Sequence, residues 1–304
     1  MVPVEAVGLV KAYPRARALD GLTLALPGGG AVGLLGRNGA GKSTFLKILL
    51  GFLRPDAGQA RVFGLDPARA PLEVRRHLGY MPEAESFIPG ATAVDTVCLA
   101  ARLSGLPRID ALQRAHRVLG YVGLREERYR DVAGYSSGMK QKVKLAQAVV
   151  HHPKLLLLDE PTAGLDPMAR EEMLALIRDL AVGKGIDVLL STHILSDVEA
   201  VCARVAVLHR GRLVLEEDLR KMTAGPDGAY EIRVKGDRDA YLKALKAEGL
   251  TGEPEGDDGV RAASPRVGSA PLLRAAVASG VQVCELSRRR GTLEERFAEL
   301  VKEA

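Results

Sequence analysis

Gly36-Arg37-Asn38-Gly39-Ala40-Gly41-Lys42-Ser43-Thr44 has the form G-x-x-x-x-G-K-[ST]. A loop of this form closes its backbone N–H groups around the phosphates of a nucleotide. The run before it, Ala31-Val32-Gly33-Leu34-Leu35, is short, apolar and of buried-strand character, and Lys42 to Leu50 reads as a helix stopped by Gly51. Strand, loop and helix therefore follow in the order the chemistry needs. Glycine lacks a Cβ and lets the main chain wrap a polyanion, while the helix N-terminus adds fixed positive potential. In this reading Gly36, Asn38, Gly39, Ala40, Gly41 and Thr44 line the phosphates. Lys42 reaches the β- and γ-phosphates, and the Ser43 hydroxyl sits on Mg²⁺. The expected ligand is a nucleoside triphosphate.

A chain of 304 residues is long enough for one sizeable core and a second, smaller domain. Its 47% apolar and 27% charged residues are those of an ordinary globular protein. No apolar stretch approaches the roughly 18 residues a membrane helix requires. The start, Met1-Val2-Pro3-Val4-Glu5, lacks the basic-then-apolar pattern of an export signal. Cys98, Cys202 and Cys284 are few and far apart, which argues against a disulfide framework or a metal site and for a reduced cytoplasm. The net charge of +5 is spread along the chain, and Arg288-Arg289-Arg290 reads as a solvated loop. With 4% aromatics and no Trp a base-stacking platform is poorly supplied, so no nucleic-acid partner is expected.

The order of segments predicts an α/β core interrupted by helices. Val4 to Leu26 looks like short strands joined by turns, closed by the breaker Pro27-Gly28-Gly29-Gly30. A helical block spans about 88–150. Its first helix has Thr92 and Asp95 in capping-box form and Val94, Val97, Cys98 and Ala101 on one face. Its second carries Ile109, Leu112, Leu119 and Val122, and its third follows Ser136-Ser137-Gly138 with a core stripe of Met139, Val143, Ala146, Val149 and Val150. His151-His152 before Pro153 reads as a helix-to-strand loop rather than a metal pair. Leu155-Leu156-Leu157-Leu158 is a strand buried on both faces of a parallel sheet, closed by Asp159. A helix from Met168 to Leu180, a strand from Ile186 to Leu190 and a hairpin about His209-Arg210-Gly211 follow. The predicted domains are 1–224 and 229–304, joined near Thr223-Ala224-Gly225-Pro226-Asp227-Gly228. The second is read as a small α+β appendage: strand (Tyr230 to Val234), helix (Asp239 to Glu248), a Gly/Pro/Asp-rich loop, helix (Pro271 to Ser279), strand (Val281 to Leu286) and a last helix boxed by Thr292 and Glu295.

Three apolar strands end in polar residues: Gly36, Asp159 and Ser191-Thr192-His193. The carboxyl ends of parallel strands lie along one edge, where open α/β sheets bind ligands. Asp159 is placed to hold Mg²⁺, and Glu160 to polarise a water toward the γ-phosphate. His193 at a strand end on that edge reads as a γ-phosphate sensor, and Ser136 and Gly138 before a helix make a second anion site.

The set resembles the nucleotide-binding subunit of an ATP-binding-cassette (ABC) transporter. Residues 36–44 match its Walker A loop and 155–160 its Walker B strand. Tyr135-Ser136-Ser137-Gly138-Met139-Lys140-Gln141 resembles its signature, usually L-S-G-G-Q, and Ala163-Gly164-Leu165-Asp166 its D-loop. Ser191-Thr192-His193 resembles its switch histidine, Tyr13 sits where an aromatic stacks on adenine, and Gly79-Tyr80-Met81-Pro82-Glu83 sits at its Q-loop. The motifs span the first two-thirds of the chain.

The resemblance implies a P-loop NTPase cassette with a mixed sheet, a small N-terminal antiparallel part and a helical insertion. It implies ATP and Mg²⁺ as ligands, with Glu160, His193 and Lys42 catalytic and Ser43, Asp159 and Glu83 at the metal; the Q-loop Gln is Glu83 here. It implies a head-to-tail dimer with a second copy or a related ATPase subunit, in which Ser136, Ser137 and Gly138 complete the partner's ATP site. It also implies a separate transmembrane permease, of the bacterial exporter-type branch, and a place on the inner face of the membrane. The other reading is a soluble cassette ATPase of iron–sulfur assembly or repair; a repair member's long coiled-coil insertion is not visible here.

Overall fold

The structure, a computed structural model, describes residues 2–219, 229–256, 258–263 and 268–288. They belong to two compact units divided between residues 219 and 220. The first begins with β1 (Val4–Tyr13), β2 (Ala16–Leu26), β3 (Ala31–Leu35), α1 (Lys42–Leu49), β4 (Ala57–Val62), α2 (Pro71–His77) and β5 (Leu78–Met81). Helices α3 (Ala93–Leu103), α4 (Arg108–Tyr121) and α5 (Ser137–Val149) follow. The core then resumes with β6 (Leu155–Asp159), α6 (Pro167–Arg178), β7 (Asp187–Thr192), α7 (Leu195–Val201), β8 (Arg204–His209) and β9 (Arg212–Asp218).

Two sheets organise this unit. One is antiparallel, in the order β2-β1-β4; the other has six strands, β5-β6-β7-β3-β8-β9, parallel throughout except for β9 at its edge. Strands β3 and β6 are buried along their whole length. A strand covered by helices on both faces must be apolar at every position rather than at alternate ones, which is why both read as continuous runs. Each fully buried leucine contributes about 1.5–3 kcal/mol of transfer free energy. Helix α7 lies directly on β3: a Cβ at Gly33 would stand 2.6 Å from Val198 Cγ1.

Several expectations need correction. Val4 to Leu26 forms two long strands of 10 and 11 residues, not short ones. Gly8 (φ 60°) and Gly21 (φ 74°) bulge the pair, and the resulting register shifts hide the period-2 pattern. The buried face of α4 is Ala111, Ala115 and Leu119, while Ile109 and Leu112 are exposed. Small alanines at i, i+4 let α4 approach its neighbours closely, a signal that a search for large apolar residues misses. Met139 is only half-buried, although Val143, Ala146, Val149 and Val150 are core. Strands β4 and β5 and helix α2 were not foreseen.

The second unit contains β10 (Ala229–Lys235), α8 (Arg238–Ala247), β11 (Thr251–Glu255), β12 (Gly259–Ala263), α9 (Ala270–Ser279) and β13 (Gln282–Arg288). Its antiparallel sheet has the order β11-β12-β10-β13, giving a ferredoxin-like βαββαβ arrangement. The stretch expected as a Gly/Pro/Asp-rich loop is the β11–β12 hairpin. Pro254 is tolerated because β11 lies at the sheet edge, where no ladder donor is required on the outer side. Tyr241, Leu245, Val260 and Leu272 form its core. The expected linker at 223–228, the last helix with Thr292 and Glu295, and Arg289-Arg290 lie outside the described residues.

Candidate nucleotide site

Strand register decides which of the expected residues meet. β3 pairs with β7 so that Leu35 lies beside Thr192, and β6 pairs with β7 so that Asp159 lies beside Ser191. The loop after β3 therefore sits next to Asp159, Glu160 and His193, at the carboxyl edge of adjacent parallel strands.

The loop is held tightly from below. A Cβ at Gly36 would come within 2.6 Å of the Leu208 carbonyl, and one at Gly41 within 2.4 Å of the Ala18 carbonyl. Gly41 also has φ 105° and serves as N-cap of α1. Gly211 donates its N–H to the Ala40 carbonyl at 3.0 Å, so the β8–β9 turn buttresses the loop. Arg37, Asn38 and Gly39 stand exposed at its crest, and a Cβ at Gly39 (φ 81°) would meet nothing within 4 Å. The first ladder bond of α1 is Phe45 N–H to the Gly41 carbonyl; the amides of Lys42, Ser43 and Thr44 precede it and face the loop as donors.

Polar contacts converge on Glu160. Its carboxylate is buried, with Oε1 3.4 Å from Lys42 Nζ. Its Oε2 lies 3.0 Å from His193 Nδ1 and accepts from Thr192 Oγ1 at 3.2 Å. Lys42 Nζ also donates to the Gly36 carbonyl at 2.7 Å. Glu160 has φ 49°, rare for a side chain with a Cβ. Its N–H donates to the Ser191 carbonyl at 2.9 Å, which fixes that conformation. Asp159 is buried and accepts from Ser191 Oγ at 2.8 Å.

Hard oxygen donors suit Mg²⁺, which uses one or two carboxylates and takes its remaining ligands from water and substrate phosphate. A buried carboxylate at Asp159 and a hydroxyl at Ser43 in the first turn of α1 fit that pattern. Among the described residues no group of three or more His, Cys, Asp or Glu converges, and such an ion requires none. Glu83 is exposed, yet its charge and that of Asp159 both act on Tyr80, whose hydroxyl is pushed up to about 12, by burial first. Both also act on Lys144, whose ammonium is driven below its usual value chiefly by burial.

The remaining motif residues lie elsewhere on the unit. Ser136 is the N-cap of α5 and accepts from Met139 N–H at 3.3 Å, with Ser137 and Gly138 in the first turn. Among the described residues no hydrogen bond joins these three to residues 36–44. Asp166 is the N-cap of α6, accepting from Ala169 N–H at 3.0 Å. Tyr13 is exposed at the tip of the β1–β2 hairpin. His151 follows α5, and its Nε2 lies 2.9 Å from the Leu78 carbonyl.

Sequence reasoning missed Lys144, Thr162, Asp197 and Arg170. Lys144 Nζ donates to the Glu83 carbonyl at 2.8 Å and so anchors that segment. A lysine inside the apolar Val143-Lys144-Leu145-Ala146 stripe was the available signal.

The sequence profile described as ABC transporter matches residues 19–163. Over nearly its full length the chain is similar to the bacitracin transport ATP-binding protein BcrA of Bacillus licheniformis, 31% identical over 299 residues, or 98% of this chain and 97% of BcrA. It is 41% identical over 213 residues to the daunorubicin/doxorubicin resistance ATP-binding protein DrrA of Streptomyces peucetius, covering 70% and 64% of the two chains. One solved structure, an ATP-binding subunit of an ABC transporter, superposes with TM-score 0.65 and 33% identity over 73% of this chain and 92% of that one. A dimeric post-hydrolysis state of the ATP-binding cassette MJ0796 bound to ADP and Pi superposes with TM-score 0.65 and 26% identity, covering 71% of this chain and 99% of that one. The expected cassette fold is the fold of these neighbours.

Proposed function

We propose that this chain, which belongs to the family of ABC transporter ATP-binding subunits, hydrolyses ATP between Glu160 and residues 36–44 to drive an exporter-type permease on a separate polypeptide. The observation that carries the reading is the buried Lys42–Glu160 pair, with the half-exposed His193 ring on the second carboxylate oxygen, at one edge of the parallel sheet. Loop amides and Lys42 bind the β- and γ-phosphates. Glu160 accepts a proton from the attacking water, and its two oxygens are oriented by Lys42, Thr192 and His193 before substrate arrives. His193, half exposed beside that carboxylate, donates toward the γ-phosphate. Ser43, Asp159 and Glu83 are the residues that would hold Mg²⁺, which would supply neutralisation of phosphate charge. Tyr13 stacks on the adenine.

Ser136, Ser137 and Gly138 carry no bond to the loop of their own chain, which supports their acting on ATP held by a second subunit. A dimer that closes with ATP and opens after hydrolysis is a two-state element biased by ligand. No helix among the described residues is long and apolar enough to cross a membrane, so a transport path in this reading belongs to the partner. The chain then works at the inner face of the cell membrane. The names of BcrA and DrrA support an export role.

Phosphate release from ATP and Mg²⁺ by the purified chain, alone and with its co-purified membrane partner, tests the reading. Activity is expected for wild type and not for Lys42→Ala. Equal rates for the two would remove residues 36–44 from the mechanism.

A further inference from the structure

Asp197, in the first turn of α7, has no solvent exposure. Its Oδ2 accepts a hydrogen bond from Thr162 Oγ1, on the chain just past Glu160. Its Oδ1 accepts from Arg170 Nε at 2.6 Å and lies 2.5 Å from Arg170 Nη2. The same guanidinium donates to Ser196 Oγ at 2.6 Å. Arg170 stands in the first turn of the helix capped by Asp166, and its N–H donates to the Asp166 carbonyl at 2.9 Å. One carboxylate thus ties together the chain after Glu160, the helix start at Asp166 and the chain after His193.

A charge so deeply buried is costly, and apolar side chains of similar shape often fill such a place with no loss of stability. What an aspartate adds is direction: two guanidinium nitrogens on Oδ1 and a hydroxyl on Oδ2 fix angles as well as distances. The platform is firm as well, because α7 rests on Gly33 of the strand that feeds the phosphate loop. Cys202, at the far end of α7, also feels the Asp197 charge; its thiol is pushed up to about 12, mainly by burial and then by Asp197.

We propose that Asp197 is a positioning residue for ATP hydrolysis: through Thr162 and Arg170 it holds the Glu160 carboxylate, the His193 ring and the Asp166 cap in one fixed arrangement. The inference rests on the assignment of Glu160 and His193 given above. Asp197 is fully buried and spends both oxygens on Thr162 and Arg170 rather than on residues 36–44, so its effect falls on turnover rather than on ATP binding.

Thr162→Val, Thr162→Ser and Asp197→Asn separate the possibilities in steady-state ATPase assays with melting temperatures recorded alongside. Thr162→Val keeps shape and removes the hydroxyl donor; Thr162→Ser keeps the donor. Thr162→Val and Asp197→Asn should lower kcat on the order of 10-fold, the effect typical of residues that orient catalytic groups. The KM for ATP should stay within about two-fold, because the loop is untouched, and Thr162→Ser should keep kcat within about two-fold of wild type. Wild-type kcat in Thr162→Val overturns the proposal even if Asp197→Asn fails to fold. Equal losses in Thr162→Val and Thr162→Ser also overturn it, since the hydroxyl would then be irrelevant. An inactive wild type would instead defeat the hydrolysis reading, and this inference with it.

Discussion

Glu160→Gln probes the site with least disturbance to its shape. Glu160 Oε1 lies 3.4 Å from Lys42 Nζ and both side chains are buried. At an effective dielectric of about 20 their direct attraction is about 5 kcal/mol. Most of that gross figure is offset, because a buried neutral amide avoids the desolvation cost of a carboxylate. The fold should therefore survive, and the glutamine oxygen can still accept from His193. Turnover should not survive. A positioned general base contributes about 10²–10⁴ in rate, equivalent to about 3–5 kcal/mol of barrier. Lys42 keeps its charge and loses a competing carboxylate, so ATP affinity should hold or rise. Phosphate release measures the first effect and binding of a fluorescent ATP analogue the second. Wild-type turnover would refute the base assignment. A loss of ATP binding parallel to the loss of turnover would show that Lys42 depends on the carboxylate and would refute its independent role in binding phosphate.

Gly41→Ala should reduce both stability and ATP affinity, since φ 105° is strained for alanine by roughly 1–3 kcal/mol and its Cβ would meet the Ala18 carbonyl at 2.4 Å; thermal melts and nucleotide titration check it. Gly79→Ala should lower the melting temperature, because its Cβ would stand 2.1 Å from the Ala148 carbonyl and overpacking costs about 1–3 kcal/mol. His151 is held below its usual 6.5, first by burial and then by Arg114 against the Leu78 bond, and its Nδ1 has no partner among the described residues. The unfolded chain therefore binds the extra proton first, so stability rises with pH up to about 6.5 and is lost as pH falls below it. Urea midpoints between about pH 5 and 7 should show this slope, and His151→Gln, which keeps a donor for Leu78, should flatten it.

Some signals were local and so legible in the chain. A G-x-x-x-x-G-K-S run needs only its own glycines and the next helix, and Leu155 to Leu158 announces a strand covered on both sides. The alanine face of α4 was not legible, because Ala111 and Ala115 carry meaning only when a neighbouring helix comes close. Nor was the strand at Thr251–Glu255, whose Pro254 is allowed by an edge position that only the assembled sheet defines.

The G-x-x-x-x-G-K-S run, the acidic end of β6 and the histidine after β7 could be read from the chain alone, because each is a short run whose chemistry is set by neighbours along the chain. That they meet follows from strand pairing across the sheet. Register along β3, β7 and β6 puts Leu35 beside Thr192 and Asp159 beside Ser191, which brings Lys42 and His193 to opposite oxygens of Glu160. The Asp197 clamp is the extreme case. Thr162, Arg170 and Asp197 look unremarkable in sequence, and only packing α7 on β3 buries a carboxylate deeply enough for their hydrogen bonds to fix geometry.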